Sequence, residues 1–173
     1  LEGAKPREIR QLKNKEGKLA WPEKEDFRRG KRRFKSDLVP AALVIARYLA
    51  AERDAIAALE AQLAAIEQQL DEQREEHGGE DGLLAEVVEG EGDKQKITAK
   101  AVKARLKEIG KDPDFADERA ALQEYAELLG LQAETKMQIK IAQDALEERL
   151  AAKYGVLTED EVKTLVVDDK WLA

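Results

Sequence analysis

The 173-residue chain has no cysteine, which excludes a disulfide framework, a thiolate zinc site and a cysteine nucleophile. That composition fits a reducing compartment, and the cytoplasm is the expected location. A single histidine, His77, cannot build a two-histidine metal site, nor serve a Ser-His triad with a ligand to spare. Four prolines, three Phe, three Tyr and two Trp leave little material for turn-rich sheet or an aromatic-lined substrate pocket. No apolar run approaches the ~20 residues of a membrane span and no charged-then-apolar leader opens the chain, so a soluble protein without membrane contact is expected. The only methionine is Met137 while the chain starts at Leu1, which reads as a segment of a longer protein.

What is abundant is charge and helix formers. Charged residues make up 39% of the chain against a globular norm of roughly 25%, and Ala and Leu dominate the apolar share. The charge is unevenly placed. Between Lys5 and Lys35 thirteen Lys and Arg face five Asp and Glu, a net of +8, which leaves −15 on the rest of a chain whose total is −7. Such a block points to a polyanion or an acidic protein surface, or else to a solvated tail. Weak apolar periodicity and interleaved Gly17, Gly30, Pro6 and Pro22 predict an irregular arm over 1–35.

From Ser36 the pattern becomes helical, with Ser36 or Asp37 as cap and Pro40 in the first turn. Ile45, Leu49, Ile56, Leu59, Leu63, Ile66 and Leu70 alternate at spacings of three and four, interrupted at Glu52, which is the 3.5-residue period of a coiled-coil seam. His77-Gly78-Gly79 ends a rod of about 40 residues, roughly 60 Å. A second, more polar seam runs through Leu122, Tyr125, Leu129, Gln132, Lys136, Ile139, Gln143, Leu146 and Leu150, capped by Asp114 or Asp117 and closed at Tyr154-Gly155.

Mainly α architecture follows: a long antiparallel coiled-coil helical hairpin over 36–77 and 114–154, Ile56, Leu59, Leu63, Ile66 and Leu70 facing Leu129, Ile139, Leu146 and Leu150. The 78–113 insertion reads as a compact tip with Leu83, Leu84, Val87 and Val88 as an apolar patch and a small helix from Thr98 to Ile109. Over 155–173, Thr158 and Glu161 form a capping box opening a short helix that ends near Val167.

The catalytic motifs weighed in the sequence are incomplete. Gly90-Glu91-Gly92 has Gln95 in place of the third glycine of a nucleotide loop, and no strand precedes it. The stretch from Asp112 to Gln123 has two aspartates at calcium-loop spacing but Ala116, Asp117 and Gln123 at the other required positions. Asp168 and Lys170 match the tail of a nuclease motif without its upstream acid. The Asn/Asp-Pro-Pro-aromatic loop of amino-group DNA methyltransferases is missing, because Asn14 is the one asparagine and no two prolines adjoin. No catalytic, cofactor or metal residue is therefore expected in this chain.

Three stretches nonetheless resemble one family. Arg28-Arg29-Gly30-Lys31-Arg32-Arg33-Phe34-Lys35-Ser36-Asp37-Leu38-Val39-Pro40, continuing through Ala41 to Tyr48, is similar to a stretch downstream of the methylase domain in the M (modification) subunit of type I restriction-modification systems. Glu75-Glu76-His77-Gly78-Gly79-Glu80-Asp81-Gly82-Leu83-Leu84 and Leu157 to Leu172 resemble the same family. The resemblance implies a parent adenine-N6 DNA methyltransferase that uses S-adenosylmethionine and assembles with a specificity subunit, other subunits and DNA. It also implies that the catalytic loop lies outside this segment. An assembly arm is the first functional expectation, one that an exposed apolar stripe away from the seam would favour. The second is a DNA-backbone clamp through Arg28, Arg29, Lys31, Arg32, Arg33 and Lys35, with a salt slope near −5 if all six engage phosphate. A stand-alone coiled-coil spacer is the third.

Overall fold

The computed structural model describes residues 2–90 and 95–171. It is mostly helical with three small antiparallel sheets, and it divides into two compact units, 1–57 with 140–173 and 58–139.

In the first unit, the basic segment is not the irregular arm its composition suggests. Strands β1 (Arg7–Ile9), β4 (Phe27–Arg29) and β5 (Arg32–Lys35) form a sheet of order β1-β5-β4, and β2 (Leu12–Lys13) pairs with β3 (Leu19–Ala20) in a separate ribbon. The reason is a cross-strand aromatic pair. Phe27 sits opposite Phe34, their rings stacked at 5.3 Å, and Phe27 also stacks on Tyr154 at 5.4 Å. Gly30 turns the chain at φ +61 ahead of a Lys31 without positive φ, the pattern of a type II′ hairpin turn.

Helix α1 (Ala41–Tyr48) is short, and α2 (Ala50–His77) is separate from it. The chain bends at Leu49 (φ −132°, ψ 28°), whose side chain is buried in the same core, so the single rod expected from Ser36 is two helices. Neither Ser36 nor Asp37 caps α1, which has Pro40 at its N-cap position. Asp26 takes that role from a distance, accepting the N–H of Ser36 at 2.8 Å and that of Ala41 at 3.4 Å, while the Ser36 hydroxyl accepts the N–H of Val39 at 3.1 Å. Val39, Val44, Leu150, Tyr154, Val162 and Leu165 complete the core, and the Tyr154 hydroxyl donates to the Val39 carbonyl at 2.6 Å. Burial, with the Asp26 charge nearby, pushes the Tyr154 phenol up.

Helix α4 (Ala116–Val156) passes through Gly155 before ending, and α5 (Glu159–Trp171) runs beyond Val167. The capping box is formed as expected: Glu161 accepts the Thr158 N–H at 2.9 Å, and Thr158 accepts the Glu161 N–H at 3.3 Å. Lys153 then ties α4 to α5 through Glu161 at 2.7 Å, with its ammonium 3.9 Å above the Tyr48 ring.

In the second unit, α2 buries Ile66 and Leu70 against Leu84, Val87, Ile97, Val102, Ile109, Leu122 and Tyr125. Strands β6 (Val88–Glu89) and β7 (Lys96–Ile97) pair, and α3 (Ala99–Ile109) starts where the sequence placed it, Thr98 accepting the Ala101 N–H at 3.2 Å. At the end of α2 the His77 carbonyl accepts the Leu84 N–H at 2.8 Å, and a Cβ on Gly82 would overlap that carbonyl oxygen. Of the apolar patch, Leu84 and Val87 are buried, while Leu83 faces water. Asp112, not Asp114 or Asp117, caps the entry to α4, accepting the Asp114 N–H at 3.0 Å ahead of a 3₁₀ turn at Pro113–Phe115.

The α2 stripe keeps its 3.5-residue period, with Ile56, Ile66 and Leu70 buried and Leu59 and Leu63 half-buried. On α4, Leu122, Tyr125, Ile139 and Leu150 are buried and Leu129, Gln132 and Leu146 half-buried, but Lys136 and Gln143 are exposed. Thr135 and Ala142, one residue earlier in each case, are the covered positions. No helix among the described residues is long and apolar enough to cross a membrane.

Candidate functional site

The six cations singled out by the sequence lie on and around the β4–β5 hairpin, and most of them have intrachain partners. Arg28 Nε donates to Glu25 at 2.7 Å and Arg33 Nη1 to the other oxygen of the same carboxylate at 2.9 Å, while the Arg33 guanidinium lies 4.1 Å above the Trp21 ring. Lys35 approaches Glu23 at 3.2 Å, and Arg32 is 3.9 Å from Glu8 at the edge of ion-pair range. Arg29 and Lys31, at the turn, have no carboxylate within 4.0 Å among the described residues.

Local electrostatics follow this pairing. A hydrogen bond from its own backbone N–H, then Arg28 and Arg33, hold the Glu25 carboxyl below the usual range, and the side chain is only 14% exposed. Arg7 bridges Asp37 at 2.9 Å and also reaches Glu23, lowering both carboxyls and raising its own guanidinium. Arg7, Arg28, Arg33 and Lys35 are thus neutralised by neighbouring carboxylates, whereas Arg29 and Lys31 are not. A six-phosphate clamp with a slope near −5 would have to break at least Arg28, Arg33 and Lys35 away from their carboxylates.

A groove of about 610 Å³ lies between the hairpin and α4, lined by Arg28, Arg29 and Gly30 on one wall and by Asp144, Glu147 and Glu148 on the other. Burial raises the Glu147 carboxyl, the neighbouring Asp144 adds to the rise, and Arg28 opposes it. Carboxylates on that wall repel a phosphate chain from the groove. Part of the basic block therefore meets the acidic body of its own chain.

Other sequence candidates lie elsewhere. His77 sits at the end of α2 with its Nε2 4.0 Å from a Glu76 carboxylate oxygen. Asp112 is a turn cap, Asp168 and Lys170 lie within the α5 backbone, and Glu91 to Gly92 of the glycine motif fall outside the described residues. The residues that organise the hairpin, Glu23, Glu25 and Asp26, are visible as an acidic run just upstream of the cations, but the turn at Gly30 is what brings Arg33 and Lys35 back to Glu25 and Glu23.

On α4, Met137 is 58% exposed and Ile141 61% exposed. Two residues before and two residues after the buried Ile139, both lie on the face away from it, and their spacing of four puts them side by side on the helix. No family model, curated protein or solved structure matches the chain.

Proposed function

We propose that the chain is a non-catalytic helical assembly segment, of the kind that follows the methylase domain in the M subunit of type I restriction-modification systems. The observation that carries this reading is the exposed Met137–Ile141 pair on α4, directed away from the seam that buries Ile139. Large apolar side chains placed together in water mark a surface that another helix covers. The specificity subunit is the proposed partner. The parent subunit would methylate adenine N6 with S-adenosylmethionine held by residues outside this segment.

The finer architecture belongs to the same proposal: α2 and α4 as arms of one antiparallel coiled-coil hairpin. Glu52 pairs with Arg149 in the first unit, and in the second Glu67 accepts from Gln132 at 3.0 Å and pairs with Lys136 at 3.0 Å. Glu52, which interrupts the apolar repeat, supplies one of these pairs.

Co-purification of the chain with the specificity subunit of its own system tests the reading. Met137→Glu with Ile141→Glu should abolish the complex while leaving the circular dichroism spectrum unchanged, since neither side chain lies in the seam. A complex that survives both substitutions overturns the assembly reading.

A further inference from the structure

The β2–β3 ribbon is built unlike the rest of its unit. Every residue from Arg10 to Ala20 is exposed, so the ribbon adds no side chain to the core. Its order is its own. Leu12 pairs with Ala20 and Lys13 with Leu19, and Asn14 Oδ1 accepts the N–H groups of Glu16 at 3.0 Å and Lys18 at 2.9 Å. The Asn14 N–H donates to the Lys18 carbonyl at 2.8 Å, and Gly17 closes the turn at φ +76. A two-stranded ribbon that buries nothing is marginal in water. An outside surface would supply the burial that the core does not.

Its charge indicates which surface. Arg10, Lys13, Lys15 and Lys18 stand against one acid, Glu16. Lys18 lies 3.5 Å from Glu16 with both side chains over two-thirds exposed, and Arg10, Lys13 and Lys15 have no carboxylate within 4.0 Å among the described residues. The ribbon lacks the aromatic anchors of a protein-docking surface, and lysine is depleted from the centres of such surfaces. A two-stranded β-ribbon does fit the major groove of a nucleic-acid duplex, where lysines act as point charges on phosphate and exposed aliphatic side chains can meet thymine methyl groups. Leu12 and Leu19, 60% and 64% exposed, are available for the latter.

We infer that the β2–β3 ribbon is a duplex-DNA contact in which Arg10, Lys13, Lys15 and Lys18 neutralise backbone phosphates. This moves the polyanion contact from the Arg28–Lys35 cluster, where most charges are paired, to the ribbon, where most are not. It is independent of the assembly reading, because it involves no residue of α4.

The test is fluorescence anisotropy of the 173-residue chain with a labelled duplex of about 20 base pairs, from ~50 to 200 mM salt. Four neutralised phosphates give a slope of log affinity against log salt near −3.6, at about −0.9 each. Lys13→Ala with Lys15→Ala should bring it to about −1.8, whereas Arg28→Ala with Arg33→Ala should change it by less than about one unit. The ribbon variant keeps its fold, checked by circular dichroism, because these side chains are outside the core. Absence of duplex binding at ~50 mM salt, or a slope that the ribbon variant leaves unchanged, overturns the inference. So does an equal loss of affinity for polyglutamate, which would make the ribbon a contact for acidic protein.

Discussion

In the β4–β5 hairpin Arg28, Arg33 and Lys35 reach carboxylates and Phe27 and Phe34 stack beside Tyr154, whereas in the β2–β3 ribbon Arg10, Lys13 and Lys15 reach none and Leu12 and Leu19 stay in water. The two hairpins belong to one basic block. What separates them is where the chain puts its acids: Glu23, Glu25 and Asp26 precede the first hairpin's strands, while the ribbon holds only Glu16. A density of cations is therefore evidence for a polyanion site only after their own carboxylates are assigned.

The widest contrast is in the apolar residues. Phe27→Ala removes a 5%-exposed ring from the first unit's core and should cost about 3–5 kcal/mol in denaturant unfolding, while Leu12→Ala should stay within about 0.5 kcal/mol. Comparable losses would mean that the ribbon is packed after all. Next comes Asp26→Ala, which frees the N–H groups of Ser36 and Ala41 and should cost about 0.5–2 kcal/mol, with faster hydrogen exchange at the start of α1 as its local signature. No ribbon acid has a comparable role.

Acid separates the hairpins more gently. Glu23, Glu25 and Asp37 are all held below their ordinary values, and Glu161 is lowered to about 2 by Lys153 and the Thr158 N–H. A carboxyl depressed by folding stabilises fully above its unfolded value, and that contribution is lost as pH falls through its folded value. Stability should hold down to about pH 4.5 and then decline towards about pH 2, with the Glu161 carboxyl carbon titrating near the lower limit in NMR. Glu25→Gln should make the decline shallower. Lys13→Ala with Lys15→Ala should leave its shape unchanged.

Local signals were the legible part of this chain. Ile56, Leu59, Leu63, Ile66 and Leu70 form the α2 stripe because three- and four-residue spacings need only a helix, and Thr98 and the Thr158–Glu161 box act on N–H groups within three residues. The expected helix boundaries failed where distant groups decide them. Asp26 caps a helix starting fifteen residues later, and burial of Leu49 in the first core breaks a seam that periodicity alone carries through. The strands were hidden for the same reason: Phe27 and Phe34 are two aromatics in a run of charge until a glycine turn sets them face to face. On α4 the choice between Lys136 and Thr135, or Gln143 and Ala142, depends on the helix's phase, to which a polar seam gives little guidance. Of the candidate surface, the sequence showed the charge but not its pairing.

Denaturant unfolding of two variants measures that pairing directly. Arg28→Ala with Arg33→Ala strips a mostly covered Glu25 of both guanidinium partners and should cost about 1–3 kcal/mol, whereas Arg10→Ala with Lys13→Ala and Lys15→Ala should change stability by no more than about 0.5 kcal/mol. Equal losses in the two variants, or a larger one from the ribbon, would contradict the division between committed and uncommitted cations.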